Sequence, residues 1–386
     1  MNLPLGLRRQ GSAPGLEEIL PELTAAFAAS AADHDRNASF PFENFTRLHA
    51  HGLLALTAPA ALGGGGAKLP TALKVVEAVA RGEPATALVL AMQYIFHAAL
   101  GGWPGFPDHL KASLVRDALE RGALINALRV EPELGTPARG GLPATVARRT
   151  VDGWRLSGRK TYATGAPGLS WMLVWARTDE AAPRVGHFLA PREAPGWRIE
   201  ETWDHTGLRA SASHDVIFED MPLLDRYALS PRPAGAAQPL DAVLSLWAPV
   251  LTAAVYHGVA GAARDWFVRW AANRRPGNLG APLSTLPRFQ ELAGAIDGLL
   301  LQNRALLDAA AEGRLAPEHA GLVKHLVTEN AIAAVEKAVA AAGNPGLSRH
   351  NDLQRHYRDV LCGRVHTPQA DVALAIAGKT AFAALG

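Results

Sequence analysis

The hydrophobic residues in the first third of the chain recur at helical spacing. Leu20, Leu23 and Phe27 fall three or four positions apart, and a longer run of the same kind covers residues 84–100. This spacing puts the apolar side chains on one face of a helix. We therefore predict an all-α N-terminal domain over residues 1–122.

From about residue 123 the pattern changes to alternation. Apolar residues occupy every second position, and Gly, Pro and Asp separate the alternating segments. This period is typical of half-buried strands. The predicted strands cover residues 151–160, 171–176, 185–190, 197–202 and 214–219. We expect them to form a middle β-barrel-like domain over residues 123–230.

Long helical patterns return after about residue 240. They cover residues 250–273, 286–312, 318–342 and 353–384. The third pattern stops at G-N-P-G, a combination of glycine and proline that ends helices. Long helices with short connections predict a C-terminal four-helix bundle over residues 231–386. The predicted fold class is α+β, with the β domain inserted between two helical domains.

The composition narrows the class of protein. The chain has 386 residues, of which 48% are hydrophobic and 19% charged, and a net charge of +2, so no basic surface for nucleic acid is expected. No apolar run reaches the roughly 20 residues of a membrane span, and the N-terminus lacks a signal pattern. The single cysteine, Cys362, and the histidine spacing give no metal motif. We expect a cytoplasmic protein without metal or membrane.

The most informative motif lies at the end of the first predicted strand. Residues Asp152–Gly165 read D-G-W-R-L-S-G-R-K-T-Y-A-T-G. The K-x-Y-A-T-G part resembles the flavin-contacting segment of the acyl-CoA dehydrogenase superfamily, which usually reads K-x-W-I-T-N-A. The resemblance implies that Thr164 lies against the flavin N5 edge. It also implies that the cofactor is FAD or FMN.

The same resemblance suggests further flavin contacts. Tyr162, Ala163 and Gly165 belong to this segment, and Trp171 follows six residues after it. The two aromatic rings would then pack around the isoalloxazine. The ordinary structural alternatives are a β turn capped by Thr164 and a β-domain core that contains both rings.

Three later segments resemble the family in the same order along the chain. They read G-L-R-A-S-A-S from Gly207, R-F-Q-E-L-A-G from Arg288 and L-Q-R-H-Y-R-D from Leu353. Residues at the positions of Arg275 and Gln290 reach a neighbouring subunit's flavin phosphates in the family, although the spacing around Arg275 departs from the family's R-x-x-F-G-x-P-L. The resemblance implies a homotetramer, with a dimer as the alternative.

The chain departs from the family where a dehydrogenase needs its base. A carboxylate must remove the α-proton of an acyl-CoA thioester, and it usually sits in Y-E-G-T. The matching position here is Thr367, whose hydroxyl is too weakly basic. Some members carry the base on the first bundle helix, but residues 246–258 contain no Asp or Glu. The usual E-x-x-A-G-S-D signature is also replaced, by E-P-E-L-G-T-P (Glu131–Pro137).

A histidine stands beside the first of these positions. His366 resembles the site histidine of the flavin-dependent monooxygenase branch, which includes the dibenzothiophene monooxygenase and 4-hydroxyphenylacetate hydroxylase types. Members of that branch take reduced flavin from a separate reductase and form a flavin C4a-hydroperoxide with dioxygen. The resemblance assigns catalytic roles to His366, to Thr164 and, late in the N-terminal domain, to His97. His257 on the first bundle helix is a candidate substrate contact.

Physical chemistry is consistent with these roles. A neutral imidazole accepts or relays a proton near neutral pH, and a dry hydroxyl stabilises an oxygen intermediate. The chain has no G-x-G-x-x-G after a strand, so a monooxygenase would need a partner reductase or free reduced flavin. The alternatives without a catalytic role are a surface position for His366 and, for His97, a buried position in the core with its hydrogen bonds formed.

We therefore predict a flavin-dependent oxidoreductase, preferably a monooxygenase acting on a small molecule. The alternative is an FAD-dependent acyl-CoA dehydrogenase with a relocated base, for which Glu131 or Glu133 are the candidates. A non-catalytic relative of the same fold is the third possibility. The sequence leaves open whether the substrate is a phenol, a thiophene, a sulfone, an amine or an acyl-CoA.

Overall fold

A computed structural model describes residues 15–103, 105–134, 141–236 and 241–383. Its N-terminal part is helical, as predicted. The helices are α1 (Leu16–Asn37), α2 (Phe42–Ala50), α3 (Leu69–Gly82), α4 (Pro84–Leu100) and α5 (Asp108–Arg121). Short 3-10 turns and the glycine loop at residues 63–66 connect α2 to α3.

Helix α4 lies at the centre of this part because its surface is apolar almost all round. Only Met92 and Ala98 of its 17 residues are not buried. Its first turn is closed by the side chain of Glu83, which accepts hydrogen bonds from the backbone amides of Ala85 and Thr86 at 3.1 and 2.5 Å. Such a cap satisfies amides that have no partner within the helix.

The middle part is one eight-stranded sheet. Its strands are β1 (Leu124–Leu128), β2 (Val146–Thr150), β3 (Gly153–Lys160), β4 (Leu169–Thr178), β5 (Arg184–Pro191), β6 (Trp197–Glu200), β7 (Asp215–Leu224) and β8 (Ala228–Pro233). The order is β6-β7-β3-β2-β4-β5-β8, and β1 pairs with β4 in parallel. Five of these strands match the predicted segments. Strands β1, β2 and β8 were not among them, because each is short and lacks a clear alternation.

The C-terminal part consists of α6 (Asp241–Asn273), α7 (Pro287–Ala311), α8 (Ala320–Ala342), α9 (Asn344–Leu347), α10 (Asp352–Leu361) and α11 (Ala370–Ala383). The single helix predicted over residues 353–384 is wrong, because the chain forms two. Pro368 has no amide to donate and disfavours helical geometry in the residue before it. Helix α10 therefore ends before this proline, and α11 begins after it.

Helix α6 holds the two helical parts together. It packs against α3 and α4 on one side and against α7, α8 and α10 on the other. By length and composition it could cross a membrane, but 67% of its most apolar window is buried inside the protein. Its apolar character thus matches its place in the core.

Small residues let α6 and α3 approach closely. A Cβ added at Gly258 would lie 2.7 Å from both the Glu77 carbonyl oxygen and the Ala80 Cβ. A Cβ added at Gly294, on the exposed side of α7, would meet no atom within 4 Å. The contact at Gly258 therefore has no room for a side chain, whereas Gly294 does.

We predict opposite effects of alanine at these two glycines. Gly258→Ala should lower the free energy of unfolding by roughly 1–3 kcal/mol, because the helices must separate. Gly294→Ala should raise it by roughly 0.5–1 kcal/mol, because alanine favours the helix. Urea unfolding followed by circular dichroism measures both. A stabilised Gly258→Ala variant would contradict the close packing of α3 and α6.

Candidate active site

The Thr164 hydroxyl lies in a turn between β3 and β4, among other hydroxyls. Its Oγ1 accepts a hydrogen bond from Ser213 Oγ at 3.2 Å, and Ser213 pairs with Ser211 at 2.8 Å. The Thr164 carbonyl accepts a hydrogen bond from Asn126 Nδ2 at 3.0 Å. Gly165 has a φ of 79°, which favours glycine. Strands β1 and β3 and the segment before β7 thus fix the turn.

A buried ion pair anchors the strand that leads into this turn. Lys160 Nζ lies 2.6 Å from Glu131 Oε1, and both side chains are almost inaccessible. The Glu131 carboxylate also accepts the Thr145 hydroxyl at 2.6 Å and the amides of Thr145 and Ala144 at 3.0 and 2.6 Å. Burial raises the pKa of Glu131, but these hydrogen bonds outweigh it and the pKa is lowered. Glu131 is therefore a structural carboxylate.

Helix α10 holds the segment that carries Ser211 and Ser213. Asp359 Oδ1 accepts a hydrogen bond from the Leu208 amide at 2.7 Å, and Arg358 donates to the Thr206 carbonyl. A Cβ at Gly207 would lie 2.4 Å from the Arg358 carbonyl oxygen. The backbone of this segment therefore lies directly against α10.

Asp359 is fully enclosed at this contact. Burial raises the pKa of Asp359 to about 7, although the Leu208 amide and Arg355 act in the opposite direction. The neighbouring Arg358 forms a fork with Asp35 of α1, with N···O distances of 2.9 and 2.5 Å. One helix end thus joins α1, the sheet and the bundle.

His366 lies between α10 and α11 and contacts two buried side chains. Its Nδ1 is hydrogen-bonded to the Tyr256 hydroxyl of α6. Lys324 of α8 donates to the carbonyls of His366 and Gly363, both at 2.7 Å. Burial and the Lys324 charge lower the pKa of His366 to about 4, so the ring is neutral near pH 7.

The hydrogen bond to Tyr256 favours one tautomer of His366. Burial raises the pKa of Tyr256 well above its usual value, so the phenol keeps its proton. Among the described residues no second hydrogen bond to this hydroxyl occurs, so its proton points to Nδ1. We infer that Nε2 of His366 carries the ring proton and is a hydrogen-bond donor.

A cavity of about 610 Å³ opens beside this histidine. It lies between the sheet and the helices α6, α8 and α11. Thr367, next to His366, is in its wall, together with Trp175 and Glu318. The indole nitrogen of Trp175 is buried and has no hydrogen-bond partner within residues 15–103, 105–134, 141–236 and 241–383. Glu318 is exposed at the rim, so the cavity contains one carboxylate that the sequence did not single out.

The structure separates the two aromatic residues predicted to surround the flavin. Tyr162 is 57% exposed and packs edge-on against Trp203 and His205, whose rings stack on each other. Trp171 instead donates its indole N–H to Asp117 of α5 at 3.1 Å. Tyr162 therefore lies next to the Thr164 turn, and Trp171 packs toward the N-terminal helices. Ala163 is buried within the turn itself.

The other predicted histidines are buried within helical layers. His97 lies in the core beside Gln93, at an N···N distance of 3.4 Å, and His257 lies 3.5 Å from Glu77 of α3. Burial lowers the pKa of each histidine to about 4. Neither is hydrogen-bonded to Thr164 or His366. Their assigned catalytic and substrate-binding roles stay predictions.

Arg275 and Gln290 lie on the outside of this chain. Arg275 follows the end of α6, and Gln290 in the first turn of α7 donates to the Ser284 carbonyl at 3.0 Å. Both side chains are exposed. The role predicted for them, toward a neighbouring subunit's flavin, stays a prediction. In the replaced signature, Gly135–Pro137 lies outside the described residues.

Sequence reasoning missed several residues that build the site. Asn126, Ser213 and Asp359 position the Thr164 turn, and Tyr256 orients His366. The S-x-S and R-D motifs contain two of these residues, Ser213 and Asp359, so a signal was available for those two. Tyr256 gave no signal, because its partner lies 110 residues away in sequence.

Among the described residues no group of three or more His, Cys, Asp or Glu side chains is arranged to hold a metal ion. The site offers instead what a flavin requires. The Thr161 hydroxyl is buried without a partner, the Thr164 hydroxyl is half-buried, and the Tyr162 ring presents a flat exposed face. These residues fit a planar heterocycle with polar edges.

The arrangement of helical, sheet and helical parts around this turn defines the class as an acyl-CoA dehydrogenase-type flavoprotein. Models of the N-terminal, middle and C-terminal domains of acyl-CoA dehydrogenases match residues 20–102, 129–221 and 247–381. YdbM of Bacillus subtilis, named provisionally as an acyl-CoA dehydrogenase, is 34% identical over 92% of this chain and 93% of its own. The chain belongs to the acyl-CoA dehydrogenase family.

Other relatives carry different activities in their names. L-evernosamine nitrososynthase of a Micromonospora species is 28% identical over 92% of this chain and 86% of its own. KijD3, in complex with FMN and a dTDP-linked 3-amino sugar, is 30% identical, with a TM-score of 0.81 over 95% of this chain and 92% of its own. Butyryl-CoA dehydrogenase of Megasphaera elsdenii shares the fold at 20% identity, with a TM-score of 0.83 over 97% and 100%.

These findings confirm the predicted fold class, superfamily and flavin cofactor, FMN or FAD. The flavin contacts predicted for Tyr162, Ala163, Thr164, Gly165 and Trp171 stay predictions.

We predict that Asp359→Asn changes how stability depends on pH. In the wild type the unfolded Asp359 ionises near its usual pKa of about 4, but the folded one ionises near 7. Stability is therefore lost as pH rises from about 4 to about 7. The asparagine keeps an acceptor for the Leu208 amide but carries no charge. From about pH 5 to about pH 8, the free energy of unfolding of the variant should therefore rise by roughly 2 kcal/mol relative to that of the wild type.

Urea unfolding gives the free energy of unfolding of wild type and variant at pH 5 and at pH 8. The change in their difference between the two pH values cancels the contributions of the other titrating groups. Asp152→Asn, in the exposed turn before β3, is the matched control and should show no such gain. The same result for both variants would contradict a raised pKa at Asp359.

Proposed function

We propose that this protein is a flavin-dependent monooxygenase that uses reduced FMN or FAD and dioxygen. The reduced flavin supplies two electrons. One oxygen atom enters the substrate, and the other leaves as water. The chain's own residues position the flavin, exclude water and hold protons near the reacting atoms. A separate flavin reductase, or free reduced flavin, would supply the electrons.

The main support for this proposal is that neither position at which the family carries its catalytic base holds a carboxylate in this chain. Dehydrogenation of an acyl-CoA requires a carboxylate to remove the α-proton. Position 367 holds a threonine, and residues 246–258 of α6 hold no carboxylate. Glu131, a candidate for a relocated base, is engaged by Lys160, Thr145 and the Ala144 amide. Glu133, the other candidate, is exposed and lies two residues before the segment 135–140, which is outside the described residues.

The state of His366 supports an oxygen-using reaction. With a pKa of about 4, the ring is a weak base, and its Nε2–H is a donor held in place by Tyr256. A fixed neutral donor is suited to stabilise negative charge that develops on oxygen. The Thr164 hydroxyl, supported by Ser213, offers a second such contact at the flavin edge.

The relatives favour nitrogen as the atom that is oxygenated. One relative is named as a nitrososynthase of L-evernosamine. Another, KijD3, has a structure with FMN and a dTDP-linked 3-amino sugar. We therefore propose a primary amine as the first substrate class to test. The cavity of about 610 Å³ beside Thr367 is large enough for a small organic amine.

We predict that His366→Ala leaves flavin binding intact and shortens the life of the oxygen-reactive state. In stopped-flow mixing of the reduced-flavin protein with dioxygen, the wild type should delay the return of oxidised-flavin absorbance. In the variant this delay should be shorter by roughly tenfold or more. The loss of a hydrogen bond worth about 1.4 kcal/mol changes a rate tenfold. It should also release more hydrogen peroxide in place of oxygenated amine.

His350→Ala, at an exposed position before α10, is the matched control and should behave as the wild type. An equal delay in both variants would remove His366 from the reaction. A wild type without any delay would argue against the monooxygenase itself.

One observation favours a second candidate, an acyl-CoA dehydrogenase. Glu318 lines the same cavity as Thr367 and has no hydrogen-bond partner among the described residues. A free carboxylate there could remove the α-proton of a bound thioester. If so, acyl-CoA added without oxygen should bleach the oxidised flavin.

For this candidate, Glu318→Gln should slow the bleaching by at least roughly a hundredfold, since the base is lost. Glu120→Gln, on the exposed face of α5, is the control. Absence of bleaching by acyl-CoAs of any chain length in the wild type would exclude dehydrogenation.

A further inference from the structure

A second and larger cavity lies away from the candidate active site. It has a volume of about 810 Å³, is open to solvent on one side and is lined by the helices α1, α3, α6, α7 and α10. None of Thr164, Tyr256, His366 and Thr367 lines it. Its size is in the range of cavities that hold small organic molecules, roughly 300–1,000 Å³.

One end of this cavity is positive and incompletely satisfied. Arg355 of α10 is 4% exposed, and its Nη1 donates to Asp352 at 3.0 Å, but its buried Nε has no partner in the described part of the chain. The adjacent His356 is 5% exposed, and its Nδ1 also has no partner among the residues that the structure describes. Arg269 of α6 reaches the same end, is exposed, and has no hydrogen bond or ion pair among the described residues.

The titration of His356 reports the same positive surroundings. Burial, and after it the charges of Arg355 and Arg269, lower the pKa of His356 to about 3. Buried polar atoms without partners are uncommon in folded proteins and call for a ligand or water.

The acidic groups in the rest of the cavity do not neutralise this end. Asp265 is paired with Arg81. Glu77 is paired with Arg304, and Glu17 with Lys74. Asp308 shares Arg304 with Glu77, and Asp352 is paired with Arg355. The described carboxylates of the lining are thus all held in ion pairs, whereas Arg269 has no ion pair among the described residues.

An apolar wall adjoins the positive end. Leu20 and Ala25 of α1 line it, and Trp266 of α6 lies one turn before Arg269. A guanidinium pair next to an indole and aliphatic side chains suits a molecule with an anionic head and an apolar body.

We propose that this cavity is a second binding site, for a small organic anion with a carboxylate or phosphate head. The head would lie between the Arg269 guanidinium and the unpaired Nε–H of Arg355. The apolar body would extend along α1 and Trp266. The site does not depend on which redox reaction the flavin performs.

The test uses anilinonaphthalene sulfonate, a fluorescent aromatic anion, titrated into the flavin-saturated protein. We expect saturable binding with one dye per chain. Arg269→Glu should weaken it by roughly tenfold or more, because a charge-assisted contact becomes repulsive. Arg116→Glu, the same charge change on the exposed face of α5 outside the cavity, should not.

A second pair of variants tests the cavity by volume alone. Ala25→Trp fills the space beside α1 and should also weaken dye binding by roughly tenfold or more. Ala29→Trp, one turn later on α1 and not in the cavity wall, should leave it unchanged. Thermal unfolding of each variant establishes that it is folded before the titration.

Competition identifies the head and the body of the ligand. Decanoate or phenyl phosphate should displace the dye, and inorganic phosphate at the same concentration should not. Equal dye affinity in the wild type and Arg269→Glu, or equal loss in Arg116→Glu, would overturn the proposal. Displacement by inorganic phosphate as effective as by phenyl phosphate would overturn the apolar part of the site.

Discussion

The hydrogen bond from the Leu208 amide to the buried Asp359 carboxyl is the constraint on which the candidate site depends. It joins α10 of the bundle to the segment before β7. Ser213, five residues after Leu208 in the same segment, donates a hydrogen bond to Thr164. The hydroxyl of Thr164, the predicted flavin contact, is thus fixed by a helix from the other end of the chain, and the site forms only when both are packed together.

This constraint also explains why the R-D pair in L-Q-R-H-Y-R-D stands where it does. Arg358 must reach both Asp35 of α1 and the Thr206 carbonyl, while Asp359 accepts the Leu208 amide two residues further along the same segment. A glycine at position 207 is required because any side chain would strike the Arg358 backbone. The electrostatic cost of burying Asp359, seen in its raised pKa, is the consequence of this tight contact.

The architecture could be predicted because hydrophobic periodicity reflects burial directly. Helix α4 and strands β4 and β5 are long enough for their period to be read. Strand β2 could not, since V-A-R-R-T is short and carries two exposed arginines, and β8 contains two prolines. The division between α10 and α11 was missed because the apolar pattern continues across Pro368, and only the missing amide of proline reveals the break.

The candidate site was harder to predict, because roles there depend on partners distant in sequence. The Thr164 motif is local and could be recognised, but nothing local distinguishes the core surroundings of His97 from the Tyr256 contact of His366.

The same geometry limits the chemistry that each residue can perform. A histidine whose pKa is about 4 and whose Nδ1 is occupied donates a hydrogen bond better than it removes a proton. An α-proton of a thioester needs a carboxylate, and Glu318 at the rim is the described carboxylate that lines that cavity. The choice between oxygenation and dehydrogenation therefore comes down to two side chains, the neutral donor His366 next to the cavity wall and the carboxylate Glu318 in that wall.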